Sequence, residues 1–242
     1  MTFKIRKFDS ETRVQSVLGT VLLIVMTAAS GHAQDRPAYP SMAPLDQYLM
    51  PDRNAEIALA RSAAPDSISR DARIMVLTRH GYEVAAEGSN GFLCAVERGW
   101  MAPFDNADFW NPKIRGPLCL NPAAARSIFP ITIKQTELAL AGLSKEQIKD
   151  KMKAALDQKE LPPFEQGGMS YMLSKSAYLT GNGGNLCHLM IYAPVADAAS
   201  WGANLPGSPV IFGWQFQDAH EPITVFLVPV SKWSDGTPAP QM

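Results

Sequence analysis

No stretch of this chain is apolar for long enough to cross a bilayer comfortably. The longest uncharged apolar run, Val17 to Ala29, is 13 residues, against roughly 20 for a spanning helix. Motifs that announce chemistry are equally scarce. There is no G-x-S-x-G nucleophile elbow and no H-E-x-x-H helix, and no cysteine pair stands at zinc-binding spacing. Gly181-Asn182-Gly183-Gly184 lacks the Lys-Ser/Thr ending of a phosphate loop and the glycine spacing of a dinucleotide fingerprint, so it reads as a turn between strands. The charge balance is not one-sided either, which leaves no electrostatic case for nucleic acid or an anionic membrane surface.

What is present begins at the N-terminus. Lys4, Arg6, Lys7 and Arg13 surround the approach to the short apolar run, and Gly31 and Ala33 occupy positions −3 and −1 of a cut before Gln34. This is the layout of a secretory signal peptide over residues 1–33, so the chain is expected to be exported, to the periplasm or beyond. A retained, uncleaved anchor is the alternative. No cysteine lies near the cut, which argues against a lipid-modified terminus. Four of the 22 Lys+Arg and two of the 23 Asp+Glu precede the cut, leaving the remaining 209 residues with a balance of −3. A hydrophobic fraction of 46% argues against disorder, and the length suits one domain with a real core.

Residues 34–51 read as an extended lead-in, because Pro37, Pro40, Pro44 and Pro51 block helix and central strand alike. Residues 52–233 read as a single α+β domain: an antiparallel sheet built from N-terminal and C-terminal strands, with helices between them. Asp52 caps a helix over Arg53 to Ala63, which Pro65 stops. Strands are expected at 73–78, 82–86 and 92–97. Their short connections, including Asn90-Gly91, predict an antiparallel meander. Gly99 to Arg115 is long and irregular, with an aromatic content that argues for order. Helices follow at Asn121-Pro122, at Ile131 to Ala141, and at Lys145 to Lys159 behind a Ser144/Gln147 capping box. Four strands close the domain, at 169–174, 186–192, 210–216 and 223–230. Residues 234–242 read as a polar, fraying tail.

Cys94, Cys119 and Cys187 all follow the cut. An oxidising compartment permits one disulfide, and Cys94–Cys119 is the preferred pair because it brackets the irregular segment. Three buried free thiols are the alternative.

Candidate site residues are few. His80 sits in a turn. His188 is set within a strand, on the face it shares with Met190 and Tyr192, while Cys187 faces the other way and cannot use His188 as a base. His188, Tyr192 and Trp214 are the ligand-binding candidates. No metal is expected. The weak candidates for one are His188, His220 and Glu221, with Asp218 nearby, provided that strand and turn converge. Trp100, Trp110, Trp201 and Trp214, with Tyr171 and Tyr192, could line a cleft beside Asn111, Asn204 and Gln215, or could simply pin long loops to the core.

Several short runs carry a resemblance: Asp52-Arg53, Glu56 to Pro65 (EIALARSAAP), Asn90-Gly91-Phe92, and Trp201 to Pro209 (WGANLPGSP). In these the chain resembles a group of uncharacterised exported bacterial proteins, from around Tyr48 to around Pro238. The resemblance implies an exported bacterial domain and brings with it no activity, cofactor or catalytic residue. The functional expectation is a domain that binds an unknown small molecule or an envelope protein without catalysis and without a cofactor. A hydrolase-type enzyme using His188, His220 and Glu221 is the alternative, and a structural protein of the cell envelope is the third reading. N-terminal sequencing of the protein purified from its native host should start at Gln34 or within a few residues of it; an intact Met1 on cytoplasmic protein would contradict export.

Overall fold

The computed structural model describes residues 39–181, 183–216 and 223–240, without the side chains of 214–216. The expected signal segment, its cut and the first part of the lead-in lie outside the described residues. The elements run α1 (Arg53–Arg61), α2 (Asp66–Ser69), β1 (Arg73–Thr78), β2 (Gly81–Ala86), β3 (Leu93–Glu97), β4 (Gly116–Leu120), α3 (Pro122–Ser127), α4 (Phe129–Leu140), α5 (Lys145–Asp157), β5 (Met169–Met172), β6 (His188–Pro194), β7 (Ile211–Phe216) and β8 (Ile223–Pro229). The eight strands form one sheet in the order β2-β1-β3-β4-β5-β6-β8-β7. The fold is α+β, with a mostly antiparallel sheet.

Local chemistry sets the helix ends. The Asp52 carboxylate accepts from the Asn54 N–H at 2.8 Å and starts α1. Ser144 and Gln147 exchange side-chain and backbone hydrogen bonds at the start of α5, a complete capping box. The Asn121 side chain accepts from the Ala124 N–H and so caps α3, with Pro122 at the first helical position.

The N-terminal strands depart from the expected meander. β2 stays at the sheet edge, and β3 lies on the far side of β1, parallel to it, with Arg73 opposite Leu93 and Ile74 opposite Cys94. The connection after β2 crosses the start of β1 at very close range. The Arg73 N–H donates to the Phe92 carbonyl at 2.9 Å and the Ser89 N–H to the Asp71 carbonyl at 2.8 Å. A Cβ at Gly88 would lie 2.1 Å from the Arg73 nitrogen, so only glycine fits. Short connections exclude parallel pairing only between strands consecutive in sequence; β2 supplies the return that lets β3 run parallel to β1.

β4 was hidden in the sequence by Gly116-Pro117, since proline is rarely found inside a sheet. It pairs with β3 along its whole length but with β5 only at Cys119 and Leu120. Pro117 is therefore accommodated where β4 has no partner on one side. Beyond Met172 the chain leaves the sheet and returns at Tyr178, which bridges Arg115.

The sheet is covered on both faces. Leu93, Ala95, Leu118, Met190 and Val225 pack with Phe129 of α4 on one face. Ile74, Val96 and Cys119 pack with Ala60 of α1 and with Ala63 and Ala64 on the other. Cys94 and Cys119 stand directly opposite each other on β3 and β4 and are joined by a disulfide. Cys187 is free and buried; desolvation pushes its thiol up to about 11, and its Sγ donates to the Lys232 carbonyl at 3.2 Å. The segment read as a fraying tail turns back on itself, with the Ala239 N–H on the Ser231 carbonyl at 2.9 Å and Lys175 paired with Asp235. No helix among the described residues is long and apolar enough to cross a membrane.

Among the described residues, one ion pair lies wholly inside. Arg98, 1% exposed, follows β3 and pairs at 2.9 Å with Glu56 of α1, itself 2% exposed. The Glu56 Oε1 also accepts from the Leu77 N–H of β1 at 3.1 Å, and Arg98 donates to the carbonyls of Tyr48 and Val96. Removing one partner of such a pair leaves a buried charge uncompensated. Glu56→Ala should therefore lower the unfolding free energy by about 3–5 kcal/mol, and Glu56→Gln, which keeps an acceptor for both donors, should cost less. Urea unfolding of the two variants checks both the size and the order.

Candidate functional site

A cavity of about 530 Å³ opens where β5 parts from β4. The sheet face forms its floor. The segment after β3, residues 98–108, forms one wall, and Leu179, Thr180, Gly184, Asn185 and Leu186, ahead of β6, form the other. Most of the lining is apolar: Met101, Ile114, Met172, Leu179, Met190 and Leu227. Gly116 belongs to the floor, and a Cβ there would find Leu179, Met172 and Glu97 side chains at 3.6–3.8 Å, an ordinary contact distance.

The first wall is held by its aromatic residues and one carboxylate. The Trp100 Nε1–H donates to Thr136 Oγ1 of α4 at 3.0 Å, and the Gln135 amide donates to the Trp100 carbonyl. The Tyr48 hydroxyl donates to the Trp110 carbonyl at 2.7 Å, with the Tyr48 ring 4.9 Å from that of Trp100. Asp108, 7% exposed, joins the two walls: it accepts from the Asn111 amide at 3.0 Å and from the Gly181 N–H at 2.8 Å. Trp100 and Trp110 are 0% and 2% exposed and lie in the core. Trp201 stacks on Phe226 with ring centres 4.5 Å apart. These rings do not gather around one cleft; they fix loops to the core.

Three polar side chains reach the cavity with hydrogen-bonding capacity to spare. His188, 4% exposed, has its Nδ1 2.7 Å from the Leu186 carbonyl. A carbonyl only accepts, so Nδ1 carries the proton. Desolvation lowers the imidazole pKa against the raising effect of that hydrogen bond, so the ring is neutral and Nε2 is left as an acceptor. The Asn185 amide donates to the carbonyls of Ser174 and Lys175, while its Oδ1 is buried with no partner among the described residues. Glu97, the last residue of β3, is half-buried; desolvation raises its carboxyl to about 7, opposed by the hydrogen bond from Thr132 Oγ1 at 2.9 Å. Arg98 also borders the cavity, but its charge is met by Glu56.

Glu97 and His188 share a sheet face at opposite ends of the cavity. The register places His188 opposite Met172 and Glu97 opposite Gly116. Three strand spacings with a two-residue offset put their backbones roughly 15 Å apart, too far to pass a proton directly.

Of the residues singled out in the sequence, His188 and Met190 line this cavity. Tyr192 lies in the adjoining core, its hydroxyl 3.2 Å from Ser170 Oγ. Trp214 stands opposite Val225 on β7, and its side chain is outside the described structure. Asp218, His220 and Glu221 lie outside the described residues. Among the described residues no three His, Cys, Asp or Glu side chains cluster as a metal site. Glu97 and Asp108 were not singled out in the sequence. The available signal for Glu97 was its phase, since Leu93, Ala95 and Glu97 alternate onto one face. A second cavity, about 460 Å³ beside Met42, Trp110 and Ser144, has no titratable side chain in its lining. Compared with known proteins, the chain matches no family model, no curated protein and no solved structure.

Glu97 gives the site a pH signature. Its folded-state pKa is raised, so its contribution to stability is complete below the ordinary glutamate range and is lost as pH climbs through about 7. Between pH 5 and pH 8 the wild type should lose up to about 3 kcal/mol relative to Glu97→Gln. Paired denaturant titrations at the two pH values measure this directly; equal losses in both proteins would place the titration elsewhere.

Proposed function

We propose that the protein is an exported domain that binds a small apolar molecule carrying hydrogen-bond donors, without catalysis. The signal-like N-terminus and the Cys94–Cys119 disulfide support export. The observation that carries the binding reading is an apolar cavity bordered by His188, whose Nδ1 is held by the Leu186 carbonyl and whose Nε2 accepts from no described residue. Buried polar atoms are normally satisfied, and leaving one unpaired costs about 1–3 kcal/mol. A ligand N–H or O–H would supply what the fold omits, while Met101, Ile114 and Leu227 would cover the apolar body. The volume suits a molecule of small-drug size.

The test is a thermal-shift panel of medium-chain alcohols, amines and amides against the wild type and Gly116→Leu. The variant sends a branched side chain onto the cavity floor, where a Cβ is tolerated. At a ligand concentration of about 100 times Kd the wild type should be stabilised by about 2.7 kcal/mol. Gly116→Leu should lose that response while melting within a few degrees of the wild type. No response from any compound, or an equal response in the variant, would overturn the reading.

A further inference from the structure

Resting on the reading that this cavity holds a small apolar molecule, we infer that its ligand is an organic amine, bound as the cation with the ammonium group at Glu97. Three charged side chains border the cavity, Glu97, Arg98 and Asp108. Arg98 is neutralised by Glu56, which leaves two carboxylates and no uncompensated cation. The spare side-chain atoms already described, His188 Nε2 and Asn185 Oδ1, are both acceptors. A carboxylate-bearing ligand would meet like charge and would find neither a counter-charge nor a complementary donor on these groups. An alcohol would satisfy one acceptor and leave the Glu97 carboxylate, held by Thr132 alone, without a counter-charge. An ammonium group brings donors and the missing charge to the Glu97 carboxylate itself, and charge-assisted hydrogen bonds in a site of low dielectric are the strong ones. Asp108 does not compete for that role, since Asn111 and Gly181 already occupy both of its oxygens.

Amine binding in this position is coupled to a proton. Around Glu97 stand Thr132 from α4, Tyr82 from β2, Tyr192 from β6 and Arg98 next in the chain, with Arg115 beyond. Desolvation raises both phenols, so they stay neutral through the physiological range. Arg115 is lowered by desolvation only to about 10 and stays charged. Desolvation holds His188 below its ordinary range, Lys134 of α4 is paired with Glu160 at the surface, and Glu137 is exposed. Glu97, at about 7, is the carboxyl of the cavity whose ionisation falls in the window. Below that pH an arriving cation must displace its proton; above it the carboxylate is already formed.

Isothermal titration calorimetry with octylamine, octanol and octanoate separates the possibilities, because the three share one apolar body. At pH 8 octylamine should bind at least about tenfold more tightly than octanol, with octanoate weakest. From pH 8 to pH 5.5 the octylamine affinity should fall more than about tenfold and the octanol affinity should hold. At pH 6, heats measured in buffers of different ionisation enthalpy should report proton release on octylamine binding and none on octanol binding. Glu97→Gln should collapse the octylamine-to-octanol ratio toward one at both pH values. If that variant fails to fold, the pH dependence and proton release of the wild type still decide. Octanol or octanoate binding as tightly as octylamine at pH 8 would overturn the amine inference and leave the cavity reading standing. No binding by any of the three would overturn both.

Discussion

The buried contact between Arg98 and Glu56 is the constraint through which the rest of the molecule is arranged. Two charges taken out of water are unfavourable unless their remaining hydrogen-bonding capacity is met, and here four elements meet it together. Glu56 comes from α1, Leu77 from β1, Val96 from β3, and the Tyr48 carbonyl from the segment before α1. None of the four can shift without exposing the pair to a poorer environment. Arg98 also stands between Glu97 and Gly99, so the geometry that satisfies the guanidinium also sets where the cavity wall begins. The wall then runs through fixed points, Trp100 on α4, Trp110 on Tyr48 and Asp108 on Gly181. A long loop without regular structure is in this way as firmly placed as a strand.

Elements governed by local chemistry were legible in the sequence, and those governed by distant partners were not. Asp52 and the Ser144/Gln147 box mark helix starts because the caps bond within three residues. β1, β6 and β8 stand out as apolar runs. The disulfide pair was legible from the irregular segment it brackets. The parallel placement of β3 was not, because it depends on a crossing whose closeness is visible only once Gly88 meets the Arg73 backbone. β4 was obscured by Pro117, whose tolerance depends on where another strand happens to end. In the site, His188 could be found because histidine is rare in this chain and this one sits in a strand. Glu97 could not, because a charge at a strand end next to an arginine looks like solvated surface until the sheet face is known.

The polar groups of the cavity are the ones the fold leaves unfinished. Several buried polar side chains elsewhere are met from within: Trp100 by Thr136, Asn111 by Asp108, Ser170 by Tyr192. At the cavity the same chain leaves Asn185 Oδ1 without a partner and holds a carboxyl in surroundings that discourage its charge. Arg61 Nε is the other buried side-chain atom without a partner among the described residues, and it lies away from the cavity.

The position of the disulfide has a consequence for how the chain finds this arrangement. Cys94 and Cys119 are direct cross-strand neighbours, so the bond can close only when β3 and β4 are aligned in one register. A slip of a single residue would turn every side chain of β3 to the opposite face, moving Glu97 from the cavity into the layer beneath α1. In the folded chain the bond therefore fixes the alignment in which Glu97 faces the cavity; in a pair slipped by one residue the two thiols would lie on opposite faces of the sheet, out of each other's reach.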